Sequence, residues 1–138
     1  MFVGVTYCYR CAKNRNRAVG DDVVLVGEPR TPLTVLPYEA TIPARGGRWS
    51  HRLINRSLRR FAFKVKSTDN VRYRLRPVYG FVDARSSASI EVTRTAGPRK
   101  RDKIIVQFKE APPNAFNAVA LFREGAPFAE MIIRLKAL

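Results

Sequence analysis

From Leu33 onward the chain alternates apolar and polar positions with a period of two. Trp49, His51 and Leu53 alternate with Ser50 and Arg52, and Phe61, Phe63 and Val65 with Ala62, Lys64 and Lys66. The same rhythm runs through Val71, Tyr73 and Leu75, then Ile90 and Val92, then Ile104, Val106 and Phe108, and finally Met131, Ile133 and Leu135. Strict alternation places every second side chain on one face, so each run predicts a strand with one buried face. Turn-forming residues fall between the runs: Arg45-Gly46-Gly47, Asn55-Arg56-Ser57, Ser67-Thr68-Asp69-Asn70 and Ala96-Gly97-Pro98. About six or seven short strands at this spacing predict an antiparallel β-sandwich. Only Pro113 to Arg123 departs from it. There Phe116, Val119, Ala120 and Phe122 cluster at helical spacing after a Pro-Pro start, which predicts one short crossover helix.

Composition adds the boundaries. The chain has 138 residues, 46% of them apolar, enough for one domain with a real core. No apolar run approaches the roughly 20 residues of a membrane-spanning helix. Residues 1–32 lack the alternation, and Gly27-Glu28-Pro29-Arg30-Thr31-Pro32 reads as a linker. The expected organisation is a flexible basic N-terminal tail over 1–32 and a sandwich domain over 33–138. The apolar stretch at the N-terminus precedes the basic residues instead of following them, unlike a secretory signal. Cys8 and Cys11 form a C-x-x-C, but with a single histidine, His51, and no second such pair, four zinc ligands are lacking. Two unpaired thiols and a reducing, cytoplasmic compartment are expected, and no cofactor.

Charge is the outlier. Lys and Arg number 26 against 11 acidic residues, a net of +15; of these, 21 and eight fall within 33–138, leaving +13 on the domain. Most of these cations occupy the polar phase of a strand, hence the outer sheet faces, or lie in turns. Arg72, Arg74 and Arg76 would form a one-sided ladder, and like charges side by side on a sheet are destabilising. An acidic partner is therefore implied.

Four segments in order carry a family resemblance: Leu53-Ile54-Asn55-Arg56-Ser57, Phe63-Lys64-Val65-Lys66-Ser67-Thr68, Tyr73-Arg74-Leu75-Arg76-Pro77 and Gly80-Phe81-Val82-Asp83. They resemble the major sperm protein (MSP) domain, and Pro77-Val78-Tyr79-Gly80, Thr93-Arg94-Thr95-Ala96-Gly97 and Asp102 to Phe108 are most similar to the small sperm-specific MSP-like proteins of nematodes. The resemblance spans about Leu33 to Leu138 and implies an all-β, immunoglobulin-like seven-stranded antiparallel β-sandwich. It also implies one of two activities: assembly with the sperm cytoskeleton, or binding of acidic peptides that carry two phenylalanines. For the second, the resemblance puts the peptide site at Lys64, Lys66, Ser67 and Thr68 on one strand and Lys103 and Ile105 on another. It also puts Glu130 where peptide-binding members carry a lysine, which would repel an acidic ligand.

The strand phases agree in part. Lys64, Lys66, Lys103 and Ile105 all fall at outward positions, and an apolar Ile105 on a polar face is either a docking point for a ligand side chain or a contact for the crossover helix. His51, at an inward phase, reads as a hydrogen-bonded core histidine, and Trp49 as core or sheet edge. Since no Ser/His/Asp set, carboxylate pair or phosphate-binding glycine loop is present, no enzymatic activity is expected. The expected function is protein–protein interaction in the sperm cytoskeleton or as an accessory of MSP fibres. Peptide binding is the alternative, and a nucleic-acid site on Arg72-Arg74-Arg76 and Arg99-Lys100-Arg101 is a lesser one, lacking outward aromatics for base stacking. Self-association or acidic peptides are the expected partners, with no small-molecule substrate and no integral membrane anchor.

Overall fold

The computed structural model describes residues 32–125 and 129–138. The expected tail, apart from Pro32, and the Cys8/Cys11 pair lie outside the described residues. The alternating runs form strands β1 (Leu33–Leu36), β2 (Glu39–Ile42), β3 (Gly47–Asn55), β4 (Phe61–Ser67), β5 (Tyr73–Arg76), β6 (Tyr79–Val82), β7 (Ser86–Arg94), β8 (Lys100–Glu110) and β9 (Ala129–Ala137), with one helix, α1 (Ala118–Arg123). A four-stranded sheet in the order β1-β3-β7-β5 faces a five-stranded sheet in the order β2-β9-β8-β4-β6. The inward phases meet between them: Leu53, Phe63, Ile90, Ile104 and Ile133 are among the fully buried side chains. Burial of each is worth roughly 1.5–3 kcal/mol relative to exposure.

The sandwich is the expected all-β fold, and its strand count has a simple origin. Nine segments arise because two strands divide between the sheets: β1 and β2 around Pro37-Tyr38, β5 and β6 around Pro77-Val78. Counting each divided strand once gives seven. The first division produces the one parallel pair among the described strands, β2 beside β9, in an otherwise antiparallel set. Tyr38, at the crossing, accepts from the Arg134 N–H at 3.0 Å and docks the chain on β9.

The polar side chains of His51 and Arg94 are buried in the interior. His51 is fully buried. Its Nε2 accepts from Trp49 Nε1 at 2.9 Å, and its Nδ1 lies 2.8 Å from the Pro37 carbonyl, to which it donates as the neutral tautomer. Burial lowers its pKa below 6.5, against the opposing pull of the Pro37 bond. Arg94 is buried without a carboxylate; its guanidinium donates to Pro98 O at 2.6 Å and lies 5.4 Å from the Tyr73 ring centroid. Burial raises the Tyr73 pKa, and the Arg94 charge opposes that rise.

Two expectations fail locally. Val71 is not in a strand; it is 73% exposed. Asp69 Oδ1 accepts from the backbone N–H groups of both Val71 and Arg72 at 3.0 Å, and this Asx-type turn keeps the chain off the sheet until Tyr73. Phe116 is 90% exposed instead of packing with the helix. The helix starts only after Asn117, whose side chain caps it by accepting from Ala120 N.

Candidate functional site

The outer face of the five-stranded sheet is built by register. Lys66 on β4 stands opposite Ile105 on β8, which stands opposite Ile132 on β9. On one side of this row lies a second, in which Lys103 faces Arg134 and Arg134 faces Glu39; beyond it Arg101 faces Lys136. On the other side Lys64 faces Gln107, and Gln107 faces Glu130. The result is a cross-strand pair of half-buried isoleucines within a largely cationic field. Next to it a cleft of about 550 Å³ opens among β2, β8 and β9, lined by Thr41, Arg101, Lys103, Arg134 and Lys136 among others.

Of the six residues expected at a peptide site, Lys64, Lys66, Lys103 and Ile105 share this face. Ser67 does not, because it follows the inward phase of Phe63 and Val65. Its hydroxyl donates to Asn70 Oδ1 at 3.2 Å and accepts from Asp69 N at 3.3 Å, shaping the turn. Thr68 sits at the end of the face with its hydroxyl already engaged, donating to Asp102 Oδ1 at 2.8 Å and accepting from Lys103 N at 3.0 Å. Lys64 is half-buried, its ammonium 5.6 Å from the Tyr79 ring centroid. Ile105 is not beneath the helix: α1 packs Leu121 and Phe122 over Ala62, Tyr79 and Phe81 instead. Glu130 is one row away from the isoleucine pair, and its Oε2 accepts from Gln107 Nε2 at 2.9 Å, a neutral donor that holds the carboxylate in place.

The sequence reading passed over Ile132 and Arg134. Ile132 is an apolar residue at the polar phase of β9, the same signal that singled out Ile105, but its pairing with Ile105 depends on the β8–β9 register.

The arginine ladder is interrupted. Arg74 and Arg76 are exposed on β5, whereas Arg72 donates to Ala96 O at 2.8 Å and is part of the loop structure. In the Arg99-Lys100-Arg101 run, Lys100 Nζ lies 2.7 Å from Asp69 Oδ2 and 3.5 Å from Asp102 Oδ2. The Lys100 bond holds the Asp69 pKa down at about 2, and the same bond raises that of Lys100. Neither basic run therefore presents three free cations in a line. Among the described residues no helix is long and apolar enough to cross a membrane.

Sequence comparison identifies this architecture. The model of the MSP (Major sperm protein) domain matches residues 32–129. The chain belongs to the MSP domain family. Sperm-specific class P protein 32 of Caenorhabditis elegans is 46% identical over 104 residues, 75% of this chain and 97% of the relative. Sperm-specific class P protein 31 of the same nematode is 43% identical over 105 residues, 76% of this chain and 98% of the relative. Among solved structures, the C. elegans MSP family member WR4 superposes with a TM-score of 0.75 at 42% identity, covering 78% of this chain and 99% of that one. The chaperone YadV shares the fold alone, with a TM-score of 0.57 at 14% identity over 78% of this chain and 51% of that one. The chain is thus an MSP-domain protein of the nematode sperm-specific class, with the immunoglobulin-like sandwich of that family.

Proposed function

We propose that this MSP-domain protein is a non-enzymatic interaction module of the sperm cell, cytoskeletal or accessory to MSP fibres, that docks an acidic protein segment on the outer face of its five-stranded sheet. The observation that carries this reading is the Ile105–Ile132 pair, flanked by Lys66, Lys103 and Arg134. An aromatic side chain laid over the two isoleucines removes apolar surface from water, at roughly 25 cal/mol per Å². The surrounding cations speed encounter with an acidic segment and fix its register. Acidic peptides with two phenylalanines have this chemistry. Edge-strand addition is the less favoured route. All four edge strands, β1, β2, β5 and β6, are only four residues long, and β5 carries Arg74 and Arg76.

Calorimetric titration with an acidic two-phenylalanine peptide tests the reading. Lys66→Asp with Lys103→Asp should weaken binding by about a hundredfold, since each reversal turns an attraction into a repulsion. Ile132→Ser should weaken it by about tenfold through lost apolar contact. Affinity unchanged in both variants would refute the assignment.

A further inference from the structure

At the far end of the molecule two turns meet. The β3–β4 turn carries Arg56 and Ser57; the β6–β7 turn carries Asp83 and Arg85. The side chain of buried Asn55 ties them together. Its Nδ2 donates to Arg59 O at 2.6 Å in one turn and to Asp83 O at 3.0 Å in the other, while its Oδ1 accepts from Ser57 N and Ser57 Oγ. The backbone closes the joint, with Arg85 N donating to Ser57 O at 3.0 Å.

This joint leaves an open cleft of about 380 Å³ with a half-buried Ile54 among its lining residues. Three arginines also line it: Arg52 from β3, Arg56 and Arg85 from the two turns, together with the exposed Ser86 and Ser87. No acidic side chain lines it. The acids nearby in sequence are engaged elsewhere: Asp83 pairs with Arg60 at 2.8 Å and Glu110 with Arg59 at 3.2 Å. Arg52 donates only to Ser87 Oγ at 3.2 Å and Arg85 to the Arg56 carbonyl at 3.3 Å, neutral partners that leave both charges uncompensated. Arg85 has φ of 57°, and it is the one non-glycine residue at positive φ among those described. Glycine adopts that backbone without penalty, so what an arginine adds there is its guanidinium.

We propose that this cleft is an anion site that takes the phosphorylated side chain of a serine or threonine in a partner protein. Three arginines lining one cleft suit a dianion, because the planar fork of a guanidinium can donate paired hydrogen bonds to phosphate oxygens. The serine hydroxyls add neutral donors, and Ile54 gives the methylene of the phosphorylated residue an apolar contact. A nucleotide base would find no aromatic among the lining residues to stack on. The site is on a different part of the fold from the Lys66–Ile105–Ile132 row and stands without it.

The experiment titrates the isotopically labelled full chain with a peptide library of fixed phosphoserine and randomised neighbours, following backbone amide shifts by NMR. The unphosphorylated library and inorganic phosphate form parallel arms. The phosphorylated library should shift the amides of Arg56 and Arg85 to Ser87 saturably, and the unphosphorylated one should not. Arg56→Gln with Arg85→Gly should weaken binding by at least about tenfold, as expected for loss of charge-assisted hydrogen bonds. Arg85→Gly relieves the backbone, and Arg52→Gln is a second, separately foldable variant expected to weaken binding in the same direction. Lys66→Asp with Lys103→Asp should leave phosphopeptide binding intact, so the two sites succeed or fail independently. Equal binding of the unphosphorylated library would overturn the proposal. So would shifts confined to other surfaces, affinity unchanged in the arginine variants, or inorganic phosphate matching the phosphopeptide.

Discussion

Asn55→Ala is the perturbation that tests how the two turns are held. The side chain is 1% exposed. Its amide has two hydrogens and three carbonyls in reach: Arg59 O at 2.6 Å, Asp83 O at 3.0 Å and Val82 O at 3.3 Å. Two strong bonds and a shared third are therefore the most the amide can make. The oxygen accepts two more, from Ser57 N at 3.0 Å and Ser57 Oγ at 2.7 Å. At about 1 kcal/mol net for each full bond, and more where a carbonyl shielded from water loses its donor, truncation should cost about 3–5 kcal/mol. That is a large share of the roughly 5–15 kcal/mol by which a domain is stable. With a urea slope of about 2 kcal/mol per M, the unfolding midpoint should fall by about 1.5–2.5 M. Asn55→Asp should be no milder: it keeps the acceptor but aims a carboxylate at three carbonyl oxygens. Ser57→Ala removes a single hydroxyl near the surface and should cost about 1 kcal/mol. A midpoint for Asn55→Ala within about 0.5 M of the parent, at unchanged slope, would refute the view that this side chain joins the turns.

Two further outcomes follow from the interior. His51 is neutral in the fold, and burial lowers its pKa below the 6.5 of an unfolded histidine, so the unfolded chain takes up the proton first as pH falls. Its stabilising contribution is complete above about pH 7 and declines below 6.5 by up to about 1.4 kcal/mol per pH unit until the folded-state pKa is reached. Urea midpoints between about pH 7.5 and 5 should therefore slope in the parent and flatten in His51→Gln; parallel curves would rule out the histidine as the source. At Gly80, an added Cβ would lie 2.7 Å from Phe63 Cζ, whose ring is fully enclosed, so Gly80→Ala should cost about 1–3 kcal/mol by overpacking. Gly47→Ala, with nothing within 4 Å of the added atom, is the matched control, and equal midpoints for the two would dismiss the steric account.

The fold was legible because alternation is a local signal that tertiary packing merely uses. Phe63, Ile90, Ile104 and Ile133 each announced their burial within their own strand. Failures came where a side chain overrode the pattern over three or four residues. Asp69 captured two N–H groups and took Val71 and Arg72 out of the strand that the alternation extends back to them. Asn117 capped the helix one residue too late for Phe116 to join it. The candidate face was half legible. Outward phase marked Lys66, Lys103 and Ile105 singly, but only the β8–β9 register makes Ile132 a neighbour of Ile105. The arginine cleft left no local trace at all, since Arg56 and Arg85 belong to turns 29 residues apart that Asn55 and the strand pairing bring together.

The distribution of acids decides how so basic a domain associates. Asp69 and Asp102 hold Lys100, Asp83 holds Arg60, Glu110 holds Arg59, and Glu130 receives Gln107, so most acids serve loops and strand ends. The outer faces keep their cations: Arg48, Arg52, Arg74 and Arg76 on the four-stranded sheet against Glu91 alone, and Lys66, Arg101, Lys103, Arg134 and Lys136 on the five-stranded one against Glu39 and Glu130. Two such faces repel across the Debye length of about 8 Å at physiological ionic strength, which disfavours face-to-face stacking of copies of this domain. Their edges are four residues long, too short to template an extended ladder. With both routes to direct self-contact weakened, the proposed docking of an acidic segment predicts that raising salt loosens the assembly instead of promoting it.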